Sequence, residues 1–193
     1  MNPIEIVGVV TALAYLLLAM KENPLCWFAA IVSSLCYIAV FYEASLFTES
    51  LLQLFFIGMA FQGLRRWKLG EGESGQLQIR TLPIRSHLIG IVVCGALSLL
   101  LSIVVRSLTE APLALIDSAI TVFSIYTTWL VTEKVLENWL YWIVIDLIAV
   151  VVYFVKDLHF TAGLFLLYVI LATIGYFQWL SAMGSSLSEE ATA

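Results

Sequence analysis

The sequence contains 193 residues, of which 62% are hydrophobic and only 12% are charged. A soluble domain is about half apolar and about a quarter charged, so this composition indicates an integral membrane protein. The net charge of −5 and the scattered basic residues exclude a dense phosphate-binding patch, and no nucleic-acid partner is expected.

Apolar runs of about 20 residues predict membrane-spanning helices. The first run, from Ile4 to Met20, has no positively charged segment before it, so we predict a retained span rather than a cleaved signal peptide. The Arg65 to His87 connection contains GEGESG and is predicted to be a flexible, solvated loop. In chain order the seven predicted spans are 4–20, 25–42, 46–64, 88–106, 113–131, 139–155 and 160–180, followed by a disordered tail at 181–193.

Basic residues predict the orientation of these spans. The long loop, together with Lys21 and Lys134, places seven basic residues on one side of the membrane. Only Arg106 and Lys156 lie on the other side. The N-terminus is therefore predicted to be outside and the C-terminus in the cytoplasm.

A weak internal repeat accompanies the seven spans. A shift of 112 positions superposes Trp27 on Trp139 and Trp67 on Trp179. It predicts a 3+1+3 arrangement with two parallel three-helix repeats, and transporters commonly bind substrate between such repeats near the midplane. The predicted divisions are a first repeat at 1–67, a cytoplasmic loop with linker helix 4 at 68–112, a second repeat at 113–180 and the tail at 181–193.

The sixth span carries an acidic residue in its middle. Trp139, Trp142 and Asp146 are spaced by three and four positions, which places them on one helix face. Asp146 lies about 10 Å below the inner interface at the rise of an α-helix. A carboxylate at this depth costs about 2.5–3.5 kcal/mol on insertion scales, so it is expected to face protein or a wet cavity. A functional role is predicted, with hydrogen bonding to neighbouring helices as the alternative.

Other spans offer polar groups at comparable depth. Their hydroxyls are also explained by bonds to their own helix carbonyls, and their acids by interfacial exposure. Asn138 is suited to cap the sixth span, and Trp67 and Trp179 at helix ends are typical of interface anchors. The further candidate binding residues are Asn138, Gln53 and Glu49 on span 3, Ser34 on span 2, Asp117, Thr121 and Ser124 on span 5, and Tyr168 on span 7.

An aromatic pair beside an acid, with amides and hydroxyls nearby, suits a flat, cationic, hydroxylated molecule. The rings would stack on the molecule or form cation–π contacts, and the acid would balance its positive charge. The amides and hydroxyls would replace water around its hydroxyl groups.

Four stretches resemble the PnuC family of bacterial vitamin transporters, and the resemblance covers nearly the whole chain. They are NPLCW at 23–27, YIAVFYEASLFTESLLQLFF at 37–56, the stretch from Asp117 to Ser124, and ENWLYW at 137–142. ENWLYW is the most specific, because Glu-Asn-Trp-x-x-Trp at the opening of a span is rare by chance.

The resemblance implies seven helices in a 3+1+3 arrangement with parallel repeats, usually a homotrimer in the bacterial inner membrane. It also implies facilitated diffusion of an unphosphorylated vitamin that a cytoplasmic kinase then traps. By motif, Gln53, Asn138, Trp139, Trp142 and Asp146 would line or support the substrate site.

The substrate stays open at this point. The best-known substrate in such a family is nicotinamide riboside, and sister groups carry thiamine, riboflavin or deoxynucleosides. Nicotinamide riboside members tend to have Asn where this chain has Asp146. Because nicotinamide riboside and thiamine both carry a ring cation, an acid is compatible with either of them.

Other functional classes fit the sequence less well. An intramembrane enzyme would need a catalytic pair or a metal site, and the two histidines, His87 and His159, lie 72 positions apart without a partner motif. We therefore expect no enzyme, metal or cofactor. A non-transporting assembly subunit would not need midplane polar residues, and a sugar facilitator of similar architecture would not need Asp146. Ion-coupled uptake remains open, since a midplane acid can carry protons.

Overall fold

The computed structural model describes residues 3–43, 47–69, 77–108, 113–155, 157 and 159–190. Within these ranges the regular structure is helical, and only an isolated parallel bridge joins Arg80 to Val135. The seven helices are α1 Pro3–Met20, α2 Cys26–Glu43, α3 Phe47–Leu69, α4 Ile84–Leu108, α5 Ala114–Thr132, α6 Asn138–Val155 and α7 His159–Glu190. The prediction of an all-α chain with seven helices is confirmed.

Six of the seven helices are long and apolar enough to cross a membrane, and among the described residues α3 is the exception. The apolar part of α3 is short because Thr48 and Glu49 stand at its beginning and Arg65, Arg66 and Lys68 at its end. Its helical structure continues to Leu69, beyond the predicted end of the third span, because basic residues are favourable at the C-terminus of a helix. The spanning role of α3 stays a prediction.

The last helix is longer than the predicted seventh span. Residues 181–190 were predicted to be disordered, but α7 continues through them to Glu190. Ala182, Met183 and Leu187 favour a helix, and the Ser185 hydroxyl donates to the carbonyl of Ser181 at 3.1 Å. Residues 191–193 of the predicted tail and 70–76 of the predicted loop lie outside the described residues.

The chain forms two compact units. The first contains residues 1–80, 131–136 and 174–193, and the second contains 81–130 and 137–173. In the first unit α2 packs against both α1 and α3.

Three buried tryptophans form the core of the first unit. The Trp27 ring meets Trp67 edge to face at 5.3 Å, and Trp67 lies 6.0 Å from Trp179. Trp67 and Trp179 were interpreted as interface anchors, but they are 3% and 0% exposed and donate hydrogen bonds to backbone carbonyls. The anchor interpretation was wrong, because the amphipathic indole here satisfies its N–H inside protein rather than in the headgroup region.

The close approach of α2 and α3 at Gly63 leads to a testable prediction. A Cβ atom at Gly63 would collide with the Trp27 ring, whereas one at Gly58 on the same helix would meet nothing within 4 Å. Gly63→Ala should therefore lower the free energy of unfolding by about 1–3 kcal/mol through overpacking. Gly58→Ala is the matched control and should gain about 0.5–1 kcal/mol in helix propensity. Thermal unfolding in detergent measures both, and equal stability of the two variants would contradict the prediction.

Candidate functional site

The buried face of α6 carries the central candidate residues. Asn138, Trp139 and Asp146 are 0%, 2% and 5% exposed, and Ala149 and Val152 continue the buried face. Trp142 lies between Trp139 and Asp146 in the sequence and is half-buried. The helical spacing thus places two indoles and a carboxylate along one side of a single helix, in the second unit.

The Asp146 carboxylate has no hydrogen-bond or ion-pair partner among the described residues of the chain. Hydrogen bonding to neighbouring helices was the alternative explanation for this acid, and no such bond is found in the described part. A buried charge without a partner is unfavourable, and buried charges in proteins are normally paired. A cationic group bound beside Asp146 would supply such a partner.

The α6 helix begins at the ENWLYW motif, and its N-cap lies one residue before Asn138, the predicted cap. The carbonyl of Glu137 accepts hydrogen bonds from the amides of Leu140 and Tyr141 at 3.1 and 3.3 Å. Glu137 therefore occupies the N-cap position, and Asn138 is the first helical residue with a fully buried side chain.

A polar cluster that sequence reasoning missed lies beside the beginning of α6. His87 Nδ1 is 3.0 Å from the Tyr141 hydroxyl, and His87 Nε2 is 3.7 Å from Glu137 Oε1. The Tyr141 ring also meets Tyr126 edge to face at 5.6 Å. These contacts fix the orientation of the motif from α4 and α5. No sequence signal indicated the contacts of His87, because Glu137 and Tyr141 are 50 and 54 positions away from it.

The threonine hydroxyls along α5 mainly donate hydrogen bonds to carbonyls of their own helix. Thr121 Oγ1 donates to the carbonyl of Asp117 at 3.0 Å, and Thr128 Oγ1 donates to the carbonyl of Ser124 at 2.7 Å. Such bonds are the usual state of Thr in membrane helices. Thr127, which was not among the predicted binding residues, is fully buried, and its hydroxyl has no hydrogen-bond partner among the described residues.

The remaining candidates lie elsewhere in the two units. In the first unit Ser34 is buried and Gln53 is half-buried, whereas the side chain of Glu49 lies outside the described residues. In the second unit Asp117 and Tyr168 are half-buried, and Tyr168 meets Phe165 edge to face at 5.7 Å. Of the predicted binding residues, Trp139, Trp142 and Asp146 share one face of α6.

Comparison with known families decides the class of the protein. The profile of the nicotinamide mononucleotide transporter family matches residues 2–181. The chain belongs to this family. The predicted PnuC resemblance is confirmed, and the chain is a membrane transporter rather than an enzyme.

Individual members of the transporter family show the same likeness. The chain is 24% identical to the nicotinamide riboside transporter PnuC of Escherichia coli K12 over 93% of its own length and 85% of the relative's. The same values hold for the nicotinamide riboside transporter PnuC of Shigella flexneri. The crystal structure of the vitamin B3 transporter PnuC has the same fold, with a TM-score of 0.75, 20% identity and coverage of 95% of this chain and 84% of that one.

One cavity of this transporter chain does not coincide with the candidate residues. It has a volume of about 670 Å³ and is lined by apolar side chains of α4, α5 and α6, among them Phe123, Leu140, Val144 and Ile148. Such a lining offers almost no hydrogen bonds to a hydroxylated ligand. The cavity is therefore distinct from the α6 face that carries Asp146.

Proposed function

We propose that the chain mediates uptake of a cationic, water-soluble vitamin, with nicotinamide riboside as the first candidate. The observation that carries the proposal is the buried Asp146 carboxylate without a described partner. A ring cation bound there would neutralise the acid in a medium of low dielectric constant, where charge pairing is strong. Trp139 and Trp142 on the same face would provide stacking and cation–π contacts.

Nicotinamide riboside is favoured because the relatives of this chain are named as its transporters. Thiamine is the second candidate, because its ring cation suits an acid at position 146 equally well. Riboflavin and deoxynucleosides are neutral and do not call for a buried carboxylate. A non-transporting assembly subunit would not call for a buried Asp146 that has no partner among the described residues.

A binding screen on the purified protein tests this function. We expect nicotinamide riboside or thiamine to bind, and riboflavin and deoxynucleosides to bind far more weakly. Uptake into cells that lack other vitamin transporters would establish transport of the same compound. Binding of the neutral compounds alone would overturn the proposed charge pairing, and binding of none would favour the assembly subunit.

Transport by facilitated diffusion, followed by trapping through a cytoplasmic vitamin kinase, is the proposed mode of uptake. In liposomes without kinase, initial uptake should proceed down the substrate gradient and be unaffected by an uncoupler. Accumulation above the outside concentration should require kinase and ATP inside. Inhibition of the initial rate by the uncoupler would indicate proton coupling through a buried acid instead.

Substitution of Trp142 tests the proposed stacking contact. Trp142→Ala should weaken vitamin binding by about 1–3 kcal/mol, by analogy with stacking of bases on aromatic side chains. Trp129→Ala is a suitable control, because Trp129 lies on α5 and is 39% exposed. Isothermal titration on both variants measures the effect. A change below a few tenths of a kcal/mol at Trp142 would identify it as a packing residue only.

We propose that all seven helices span the membrane. They would form a 3+1+3 arrangement with two parallel repeats. Helix bounds support it: α2 and α6 begin and end 112 positions apart, as do the end of α1 and that of α5. The beginnings of α3 and α7 are separated by the same distance. The proposed repeats are 1–67 and 113–180, with the loop and α4 between them.

The membrane orientation and the assembly belong to the same proposal. Basic residues at the ends of α1, α3 and α5 support a cytoplasmic location for these ends and an external N-terminus in the bacterial inner membrane. A homotrimer is proposed from the family resemblance. Crosslinking in native membranes would test the trimer, and thiol labelling of cysteines introduced in the α6–α7 turn would test the orientation.

A further inference from the structure

An ion pair joins the two turns that follow α1 and α5 in the first unit. Lys134 Nζ lies 2.8 Å from Glu22 Oε2, and the side chains are 9% and 29% exposed. Both residues have positive φ, at 54° for Glu22 and 49° for Lys134, a conformation in which helices commonly end. Glu22 and Lys134 are 112 positions apart, so they occupy equivalent positions in the proposed repeats. Two parallel repeats are related by an axis along the membrane normal, and equivalent residues of the two repeats contact each other only close to that axis.

Two tryptophan hydrogen bonds also join equivalent positions of the two proposed repeats. Trp67 Nε1 donates to the carbonyl of Val131 at 3.2 Å, and Trp179 Nε1 donates to the carbonyl of Ala19 at 3.0 Å. The donors are 112 positions apart, and so are the acceptors. The third helix of each proposed repeat thus binds the end of the first helix of the other repeat.

The turn that carries Lys134 is anchored on several sides. The backbone N–H of Arg80 donates to the Lys134 carbonyl at 3.1 Å, and the N–H of Leu136 donates to the Arg80 carbonyl at 2.8 Å. The neighbouring Glu133 binds Arg66 and Arg80, and the Lys134 ammonium lies 5.0 Å from the centre of the Trp67 ring. By contrast, the side chain of Glu22 has one partner among the described residues, which is Lys134. Separation of the pair would therefore displace the α1–α2 turn from an anchored site.

We propose that the Glu22–Lys134 ion pair and the two reciprocal tryptophan bonds form a cytoplasmic closure that opens once in each transport cycle. This inference rests on the proposed vitamin transport and orientation. Transporters built from repeats alternate access by rocking one repeat against the other, and all three contacts run between the two proposed repeats. An ion pair suits such a closure, because water that enters the opening hydrates both charges and offsets the lost contact.

Cys26 provides a native reporter for this opening. It is the first residue of α2, four positions after Glu22, and is 0% exposed. Cys36 and Cys94 are the other cysteines, both reduced, and can be replaced by alanine. In that background, a membrane-impermeant maleimide added from the cytoplasmic side should label Cys26 only when the closure is open.

Charge reversal tests the role of the ion pair. Glu22→Lys and Lys134→Glu should each raise the labelling rate of Cys26 tenfold or more. The double variant, Glu22→Lys with Lys134→Glu, should return the rate towards that of the parent, which loss of folding in a single variant could not do. Unchanged labelling in both single variants, or no rescue in the double variant, would overturn the closure.

Crosslinking distinguishes a closure that opens from a permanent clamp. In a chain without the native cysteines, Glu22→Cys and Lys134→Cys would be joined by a short, cleavable, thiol-specific crosslinker. Uptake should fall at least tenfold on crosslinking and recover after cleavage. In the two single-cysteine variants, the same treatment should not change the rate of uptake. Full uptake by the crosslinked protein would mean that the turns never separate, and failure to crosslink would mean that they are not neighbours. Uptake by the untreated parent in the same membranes tests the proposed transport independently.

Discussion

Asp146→Asn is expected to weaken binding and uptake of a cationic vitamin about 10- to 100-fold while leaving the folded protein intact. The exchange keeps the shape of the side chain and removes the charge. Two opposite charges about 4 Å apart interact by about 4 kcal/mol at an effective dielectric constant of 20, and part of this is offset by desolvation of the ligand. The expected net loss is therefore smaller, about 1.4–2.7 kcal/mol in binding free energy.

The stability of the ligand-free variant gives this experiment a second readout. Because Asp146 is 5% exposed and has no described partner, its charge destabilises the empty protein. Asp146→Asn should therefore unfold at the same temperature as the parent or a higher one. An acid with a purely structural role predicts the reverse, namely lower stability with unchanged affinity.

Asp157→Asn is the matched control, because the same exchange is made at a side chain that is 94% exposed in the turn after α6. It should change neither affinity nor stability. Calorimetric titration with nicotinamide riboside and thiamine, together with thermal unfolding, measures both variants. Unchanged affinity of Asp146→Asn for both vitamins would contradict charge pairing at this site.

The sequence was sufficient to predict the helices and one face of α6. Apolar runs bounded by short polar connections predict the helices, since the bilayer imposes both their length and their hydropathy. The three- and four-residue spacing of Trp139, Trp142 and Asp146 predicts a common face whatever the surroundings are, and the burial of Trp139 and Asp146 agrees with it. Such local periodicity needs no knowledge of tertiary contacts.

Helix lengths at the membrane surface were less predictable. A hydropathy window stops where charged or small polar residues begin, but backbone hydrogen bonding continues in water, so α3 extends to Leu69 and α7 to Glu190. His87 was placed at a loop boundary without a partner, yet it is buried in α4 and contacts Tyr141. Its partner depends on the packing of helices distant in sequence, which a single sequence does not encode in any local pattern.

The ion pairs of Glu133 illustrate the same limit. In the sequence Arg66, Arg80 and Glu133 are ordinary charges at helix ends and in a loop. In the structure Glu133 Oε1 accepts from Arg66 Nε at 2.9 Å, and Glu133 Oε2 accepts from Arg80 at 2.9 Å. The Glu133 side chain is only 5% exposed, whereas those of Arg66 and Arg80 are 32% and 45% exposed. The buried member of this network is therefore the acid.

This asymmetry predicts a non-additive effect on stability. Arg66→Ala or Arg80→Ala alone should cost about 1 kcal/mol, because the remaining arginine still neutralises Glu133. The double variant should cost about 3–5 kcal/mol, because it leaves a buried carboxylate without a partner. Adding Glu133→Gln to the double variant should recover much of this loss, since it removes the buried charge itself. Thermal unfolding in detergent measures the stability of the two single variants, the double variant and the triple variant. Additive single effects, or no recovery with Glu133→Gln, would show that burial of the Glu133 charge does not control the stability of this corner.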